Sequence, residues 1–408
     1  MPSTVSQKSL SGLFRNAFGG LPRPVWLLAL VMLINRSGTM VIIFMTVYAT
    51  QKLHFSVEQA GIIMAIFGAG SLVGVIISGK LTDKLGYKKI MFWSLMLGGI
   101  LFIVLGQLHD YIPICICTFF VSAFGEAFRP ANMTAVAYYS TPESYTRSIS
   151  LNRLAINLGF SIGPAVGGFL AAHNYELLFW ADGFTCIGAA LVVKFLLGKR
   201  KNTTIAKPDN AAQTSADSPY RDKIYMLFSF LGILYAISFF QMFSTMPLYY
   251  KQVHHLSETN IGALMAMNGI LVAAIEMVMI YKIEGKWSKL NFVSLGAFLL
   301  VMNYLILPFA VSIWWLVLSM LLITFSEMFA MPFMNSFMMS RAKAHNRGQY
   351  ASVYSMTWSV AQITAPIIAT QTIAHFGFDT LWIVLACISL TVSIGMKLLE
   401  KRSKKIIT

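Results

Sequence analysis

Apolar residues in this chain gather in long blocks divided by short polar turns, not in the alternation of strands or the narrow stripe of surface helices. Stretches of about 20 apolar residues, long enough to cross a bilayer as helix, begin near Trp26, Val57, Lys89, Tyr111, Arg147 and Glu176, and again near Tyr225, Glu258, Phe292, Ile313, Tyr350 and Phe378. Twelve helical spans are therefore expected. A polar segment, GKRKNTTIAKPDNAAQTSADSPYRDK, runs between the sixth and seventh and divides them six and six. The boundaries that follow are an N-terminal segment 1–21, a first bundle 22–198, a linker 199–221, a second bundle 222–398 and a basic tail 399–408.

Composition agrees with the pattern: 57% of the 408 residues are hydrophobic and 12% charged, with a mean hydropathy of +0.67. A soluble domain of this length has no use for so much apolar surface, so the class is an all-α membrane protein. Lys and Arg near span ends mark the cytoplasmic side. With the N-terminus inside, 25 of the 31 basic residues fall on inner segments, two (Lys52 and Lys251) on outer ones and four within spans. Both termini are then cytoplasmic, in the plasma or inner membrane. The inner segments hold seven acids against those 25 bases, a net +18 that suits an anionic leaflet and needs no nucleic acid to explain it.

The N-terminus has no small-residue cleavage site and leads into a full span, so the first helix is expected to be retained. Ahead of it, Leu10, Leu13, Phe14, Ala17 and Phe18 recur at helical spacing opposite Lys8 and Arg15, the pattern of a helix lying on the inner leaflet. Cys115, Cys117, Cys186 and Cys387 all lie in apolar stretches without metal-ligand spacing and read as packing residues. No metal site, cofactor motif, nucleophile elbow or phosphate loop is present, and the linker and tails are too short for a catalytic domain. These features argue against an enzyme.

Charged residues inside spans are costly, roughly 2.5 to 3.5 kcal/mol each at mid-bilayer, and mark functional positions. Eight occur: Arg36, Glu126, Arg129, Arg153, Asp182, Lys194, Glu276 and Glu327. Lys194 and Glu276 lie near the inner surface and are expected to snorkel there. Glu126 sits in FGEAFRP, three residues before Arg129 on one helix face, where an internal ion pair is available. Glu327 sits in the echo FSEMFAMP, 201 residues later, with Ala330 where a base would be and Phe325, Met328, Phe329 and Met331 around it. An apolar setting without a cation favours a protonated carboxyl, so Glu327 is the expected proton-coupling residue, with Glu126 second. Pro130 and Pro164 map onto Pro332 and Pro366 at an offset of 202, the mark of a duplicated half. Such repeats belong to secondary transporters, whose substrate binds near mid-membrane between them.

The second span ends in Gly79-Lys-Leu-Thr-Asp83-Lys84-Leu-Gly86-Tyr-Lys88-Lys89. Glycines there permit close packing, and Asp83 can accept from amides at a helix start. This turn resembles the signature Gly-x-Leu-x-Asp-Arg-x-Gly-Arg-Arg/Lys of the major facilitator superfamily, with Lys84 for the usual Arg and Tyr87 for another. The second-half counterpart, YKIEGKWSKLN from Tyr281, is degenerate. The resemblance implies the major facilitator fold, an alternating-access monomer, and a role for Asp83 as a gate contact between the second and eleventh helices. It also implies a cavity lined by the first, fourth, seventh and tenth helices, placing Arg36, Glu126, Arg129, Gln241, Glu327 and Asn335 around one space.

In the fifth span, Gly159, Gly163, Pro164, Gly167 and Gly168 are similar to the Gly-x-x-x-Gly-Pro-x-x-Gly-Gly pattern of the drug/proton antiporter branch, which implies exchange. Small residues at that spacing also let helices approach closely. A second likeness, to the proton-coupled oligopeptide transporters, rests on Asn35-Arg36, Arg129-Pro130 and Ile156-Asn157-x-Gly159, and adds Arg153 and Asn157 as candidate cavity residues. Here Asn35 stands where that family's motif ends in Glu. Two readings stay open: proton-coupled export of amphipathic small molecules, and import of organic anions or small peptides by proton symport.

Overall fold

The computed structural model describes residues 20–141, 144–198, 218–283, 285–343 and 346–407, with the side chains of all but 83, 146, 277, 348 and 404–407. The expected leaflet helix before residue 20 and residues 199–217 of the linker lie outside the described residues. Helices dominate and no strand occurs among the described residues. They are α1 Arg23–Gln51, interrupted at Gly38 and Thr39, α2 Val57–Leu85, α3 Tyr87–Leu105, α4 Tyr111–Tyr139, α5 Tyr145–His173 and α6 Glu176–Leu196. After the undescribed segment come α7 Lys223–Ser244 with a short continuation Met246–Gln252, α8 Glu258–Ile283, α9 Lys289–Ile306 and α10 Ile313–Arg341. One further helical stretch, Arg347–Ile407, is two helices joined at Gly377, whose φ of 81° and ψ of 174° are not helical. We number its parts α11 (347–376) and α12 (378–407). Counted as continuous helices, eleven among the described residues are long and apolar enough to cross a membrane; the break at Gly377 divides the last of these in two.

Local chemistry explains the ends. Ser56 opens α2 with a reciprocal capping box, its hydroxyl accepting from the Gln59 amide while the Gln59 side chain accepts from Ser56, so two of the four orphan donors at a helix start are provided for. Gly86, at φ +84°, turns α2 into α3 through a single residue, a backbone state that costs glycine little. The tight packing expected of Gly79 is not found: nothing lies within 4 Å of a β-carbon placed there.

Three glycines of α5 instead set the architecture. A β-carbon at Gly159 would fall 2.5 Å from the Arg36 β-carbon, at Gly163 3.0 Å from the Ser37 carbonyl, and at Gly167 2.9 Å from Met40. Helix α1 therefore lies against α5 where its own hydrogen-bond ladder is broken. Gly168 faces the other way, against Glu258 and Gly262 of α8, and Gly262 meets the Pro164 carbonyl. The α5–α8 seam continues through Ser161 and Gly269 to Arg153 and Glu276. Helix α2 meets α11 in the same antiparallel manner, Gly61 against Thr370 and Gly68 against Gln362. These two seams join the first six helices to the last six.

The breaks in α1 and α7 match each other: Asn35, Thr39 and Met40 correspond to Gln241, Thr245 and Met246, 206 positions on. At the first, Asp182 of α6 accepts from the amides of Met40 (3.2 Å) and Val41 (2.9 Å). The fully buried Asp182 thus caps an internal helix start, satisfying donors that hydrocarbon cannot. Set among the arginines by sequence, it pairs with none of them among the described residues; backbone amides stabilise it instead. At the second break Gln241 receives Thr245 Oγ1 at 2.6 Å and donates to the Ile237 and Ala365 carbonyls.

Replacing Asp182 with Ala strands two amides and should destabilise the protein by about 1 to 2 kcal/mol, read as a lower thermal midpoint in detergent, with Asp182→Asn falling between. Equal stability of the Ala variant and the parent would show that the cap carries no such load.

Candidate functional site

Arg36 is the last charged residue before the α1 break and is 7% exposed. Its Nη1 donates to Glu126 Oε1 at 3.1 Å, and Arg129 Nη1 donates to Glu126 Oε2 at the same distance. The expected i,i+3 pair in α4 thus exists, and a second guanidinium from α1 joins it. Phe160 of α5 lies under the Arg36 guanidinium, its ring centre 5.7 Å from the guanidinium carbon, within cation–π range. Glu126 is buried at the join, whereas the Arg129 side chain is 60% exposed. A carboxylate held by two guanidiniums stays ionised, and the trio carries one net positive charge.

On the far side of the seam, Asn268 of α8 donates from Nδ2 to Glu327 Oε2 (3.1 Å) and to Thr324 Oγ1 (3.1 Å). Glu327 is partly accessible and belongs to no ion pair among the described residues. Its neighbours include Ser326, hydrogen-bonded to Tyr235 of α7 at 3.0 Å. The two echoed glutamates therefore sit in opposite chemical settings.

Arg153 Nη2 binds Glu276 Oε1 at 2.7 Å, joining α5 to α8. This corrects the expectation that Glu276 snorkels: its side chain is 7% exposed while that of Arg153 is 50% exposed. Lys194 rests over the rings of Phe92 and Phe195.

Of the other expected cavity residues, Asn335 is exposed on α10 and Asn157 is half-buried on α5, one turn from Arg153. Gln241 does not line a shared space; it is fully buried and spends its amide inside the contact between α7 and α11. In the turn after α2, Lys84 is exposed and Lys88 donates to the Leu197 carbonyl at the end of α6. The Asp83 side chain lies outside the described residues, as does any gate contact it makes.

At the opposite end of the bundle, Tyr175 donates to Glu258, which also pairs with Lys251 at 2.7 Å. Thr46 Oγ1 of α1 reaches the Ser244 carbonyl of α7 at 2.8 Å. These bonds join the first six helices to the last six at that end. Sequence reading missed Asn268, Glu276 and Glu258 as partners; the signal available was two polar residues, Asn268 and Glu276, on one face of an otherwise apolar helix. The four cysteines are free, and no group of residues able to hold a metal occurs among the described residues.

The sequence pattern of the Major Facilitator Superfamily matches residues 25–366. The Na(+), Li(+), K(+)/H(+) antiporter of Planococcus maritimus is 24% identical over 387 residues, covering 86% of this chain and 89% of that protein. Multidrug resistance protein 1 of Bacillus subtilis (strain 168) is 26% identical over 259 residues, 61% of this chain and 64% of its own. Among solved structures, a POT family transporter in complex with 5-aminolevulinic acid superposes with a TM-score of 0.78 at 16% identity, covering 94% of this chain and 97% of that one; the nucleoside transporter NupG reaches 0.74 at 15% identity over 93% of this chain and 100% of that one. These structural likenesses show the fold. With the matched pattern spanning most of its length, the chain is a multi-pass secondary transporter and belongs to the major facilitator superfamily.

Proposed function

We propose that this transporter exports amphipathic small molecules in exchange for protons, by alternating access between two six-helix halves with both chain termini in the cytoplasm. The observation that carries this reading is the contrast between the paired glutamates. Glu126 is clamped by Arg36 and Arg129 and has no reason to release its charge. Glu327 is reachable, receives a neutral amide and has no ion-pair partner among the described residues, so it is the carboxylate that can take and give a proton as water enters and leaves. The glycines of α5 support exchange, since they bring α1 close on one face and α8 close on the other with no side chain between. Half-buried Phe240 and Phe329 with buried Met334 offer an adaptable apolar lining. Similarity to a cation/proton antiporter and to a multidrug resistance protein points the same way.

One observation favours the second reading, proton-coupled import of organic anions or small peptides. Arg129 leaves 60% of its side chain exposed, and with Arg36 it forms a positively charged pair that suits a carboxylate.

Proteoliposomes holding a pH-sensitive dye separate the two. Under an imposed proton gradient, tetraphenylphosphonium should collapse the gradient in the export reading; acidification driven by dipeptides or carboxylates would reverse it. In either case Glu327→Gln should reduce gradient-driven transport to background yet preserve energy-independent exchange of the same probe, and intact coupling in that variant would remove Glu327 as the proton site.

For the gate, Asp83→Asn should shift the balance of open and closed states. Double electron–electron resonance between spin labels on the near ends of α2 and α11 would reject this role if the distance distributions were unchanged.

A further inference from the structure

Helix α8 carries Asn268 and Glu276 eight residues apart, close to two turns, and so on one face. The first is bonded to Glu327 of α10 and the second to Arg153 of α5. Eight residues of helix put Glu276 about 12 Å along α8 from the amide that holds Glu327, close enough for a charge to act through a low-dielectric interior. The phenol of Tyr235 on α7 stands beside Glu327, bonded to the adjacent Ser326, and α11 carries the phenol of Tyr354, set against Trp358. Helix α9 offers Lys289, at its start and bonded to the Ser336 carbonyl, and the buried phenol of Tyr304 near its end. Along α8 from Glu327, then, lie one further carboxylate, Glu276, and the guanidinium of Arg153 bound to it, and the guanidinium comes from the other six helices.

We propose that Arg153 and Glu276 are positioning residues for proton coupling: by neutralising each other across the α5–α8 seam they leave Glu327 free to hold a proton, and parting the seam changes that. This rests on Glu327 being the proton site. When Arg153 is bound to Glu276, the pair presents no net charge to Glu327. When the helices separate, Arg153 leaves with the first six, and Glu276 remains on the same helix as the amide that holds Glu327. The uncompensated Glu276 charge then acts on Glu327 across that distance and favours its protonated form, as a like charge does. Release or capture of a proton at Glu327 is thereby tied to a bond between the halves, with no substrate needed to transmit it. The half-exposed Arg153 side chain and nearly enclosed Glu276 suit these parts: the arginine is the partner that can swing away.

The test needs no transported ligand. Infrared difference spectra of the purified full chain across a pH series report the carbonyl stretch of a protonated carboxylic acid, which Glu327→Gln assigns. Glu276→Gln leaves the Arg153 charge uncompensated beside Glu327 and should move the half-point of that band to lower pH by about one unit, tenfold in proton affinity. Arg153→Gln leaves the Glu276 charge uncompensated and should move it the other way. The double variant should return close to the parent. Opposite shifts with recovery in the double variant support the proposal; shifts of the same sign, or none in variants that retain the parental thermal midpoint, overturn it. A variant that unfolds is replaced by Glu276→Asp and Arg153→Lys, which keep the charges and should leave the half-point near the parent; a shift there overturns the proposal too. If the band survives in Glu327→Gln, the proton-site assignment fails; if it vanishes there but ignores Glu276 and Arg153, this inference alone fails.

Discussion

Everything in this molecule depends on how a charge is kept in hydrocarbon, where a lone carboxylate or guanidinium is costly and must find a partner or neutralise. Seven of the eight charges inside its spans use four solutions. Arg36, Glu126 and Arg129 pair among themselves. Arg153 and Glu276 pair across the two sets of six helices. Asp182 is held by backbone amides at a helix start, and Lys194 rests on aromatic rings. Glu327 receives a side-chain amide and belongs to no ion pair among the described residues.

The broken helix α1 links these solutions. Its interruption at Gly38 and Thr39 places Arg36 at the end of one segment and the amides of Met40 and Val41 at the start of the next. Those amides take Asp182; the arginine takes Glu126. Glycines of α5 make the break fit, because a side chain at Gly159 or Gly163 would push α1 away and separate Arg36 from Glu126. The α5 motif, which in sequence signals exchange or packing, is in the structure a packing surface that holds a charge cluster in place. The two readings are physically one.

The spans were legible almost to the residue. Val57, Tyr111, Glu176, Glu258 and Ile313 begin helices where hydropathy places them. At Arg23, Lys223, Lys289 and Arg347 helices start two or three residues earlier, since a basic residue can belong to the first turn while hydropathy counts it as outside, and two more start two residues early at Tyr87 and Tyr145. Partners were far less legible. Arg129 and Glu126 are three apart on one helix, and that pair could be foreseen. Arg36 is 90 residues from Glu126 and Glu276 is 123 from Arg153, and nothing in a hydropathy pattern says which helices touch. Glu276 is misjudged for the same reason: hydropathy gives its distance from the membrane surface but not its neighbour. Gln241 shows the converse error, a polar residue assigned to a cavity that is needed to repair the backbone at a helix break.

Helix α8 carries one carboxylate at each end that reaches the first six helices: Glu258 to Tyr175 and Glu276 to Arg153. Eighteen residues separate them, five turns and about 27 Å, so they share a face and act at opposite ends of the bundle. Their consequences on separation differ. If Tyr175 withdraws, Glu258 still has Lys251 within the second six, and the loss is one hydrogen bond, about 0.5 to 1.5 kcal/mol. If Arg153 withdraws, Glu276 has no other cation among the described residues, and an uncompensated buried charge costs about 3 to 5 kcal/mol. Parting at the Glu258 end is therefore cheap at any proton occupancy, whereas parting at the Glu276 end is cheap only once a proton or an incoming cationic group neutralises the carboxylate. Under the proposed mechanism, an asymmetry of that kind in one helix ties the contact at one end of the bundle to protons and leaves the contact at the other end independent of them.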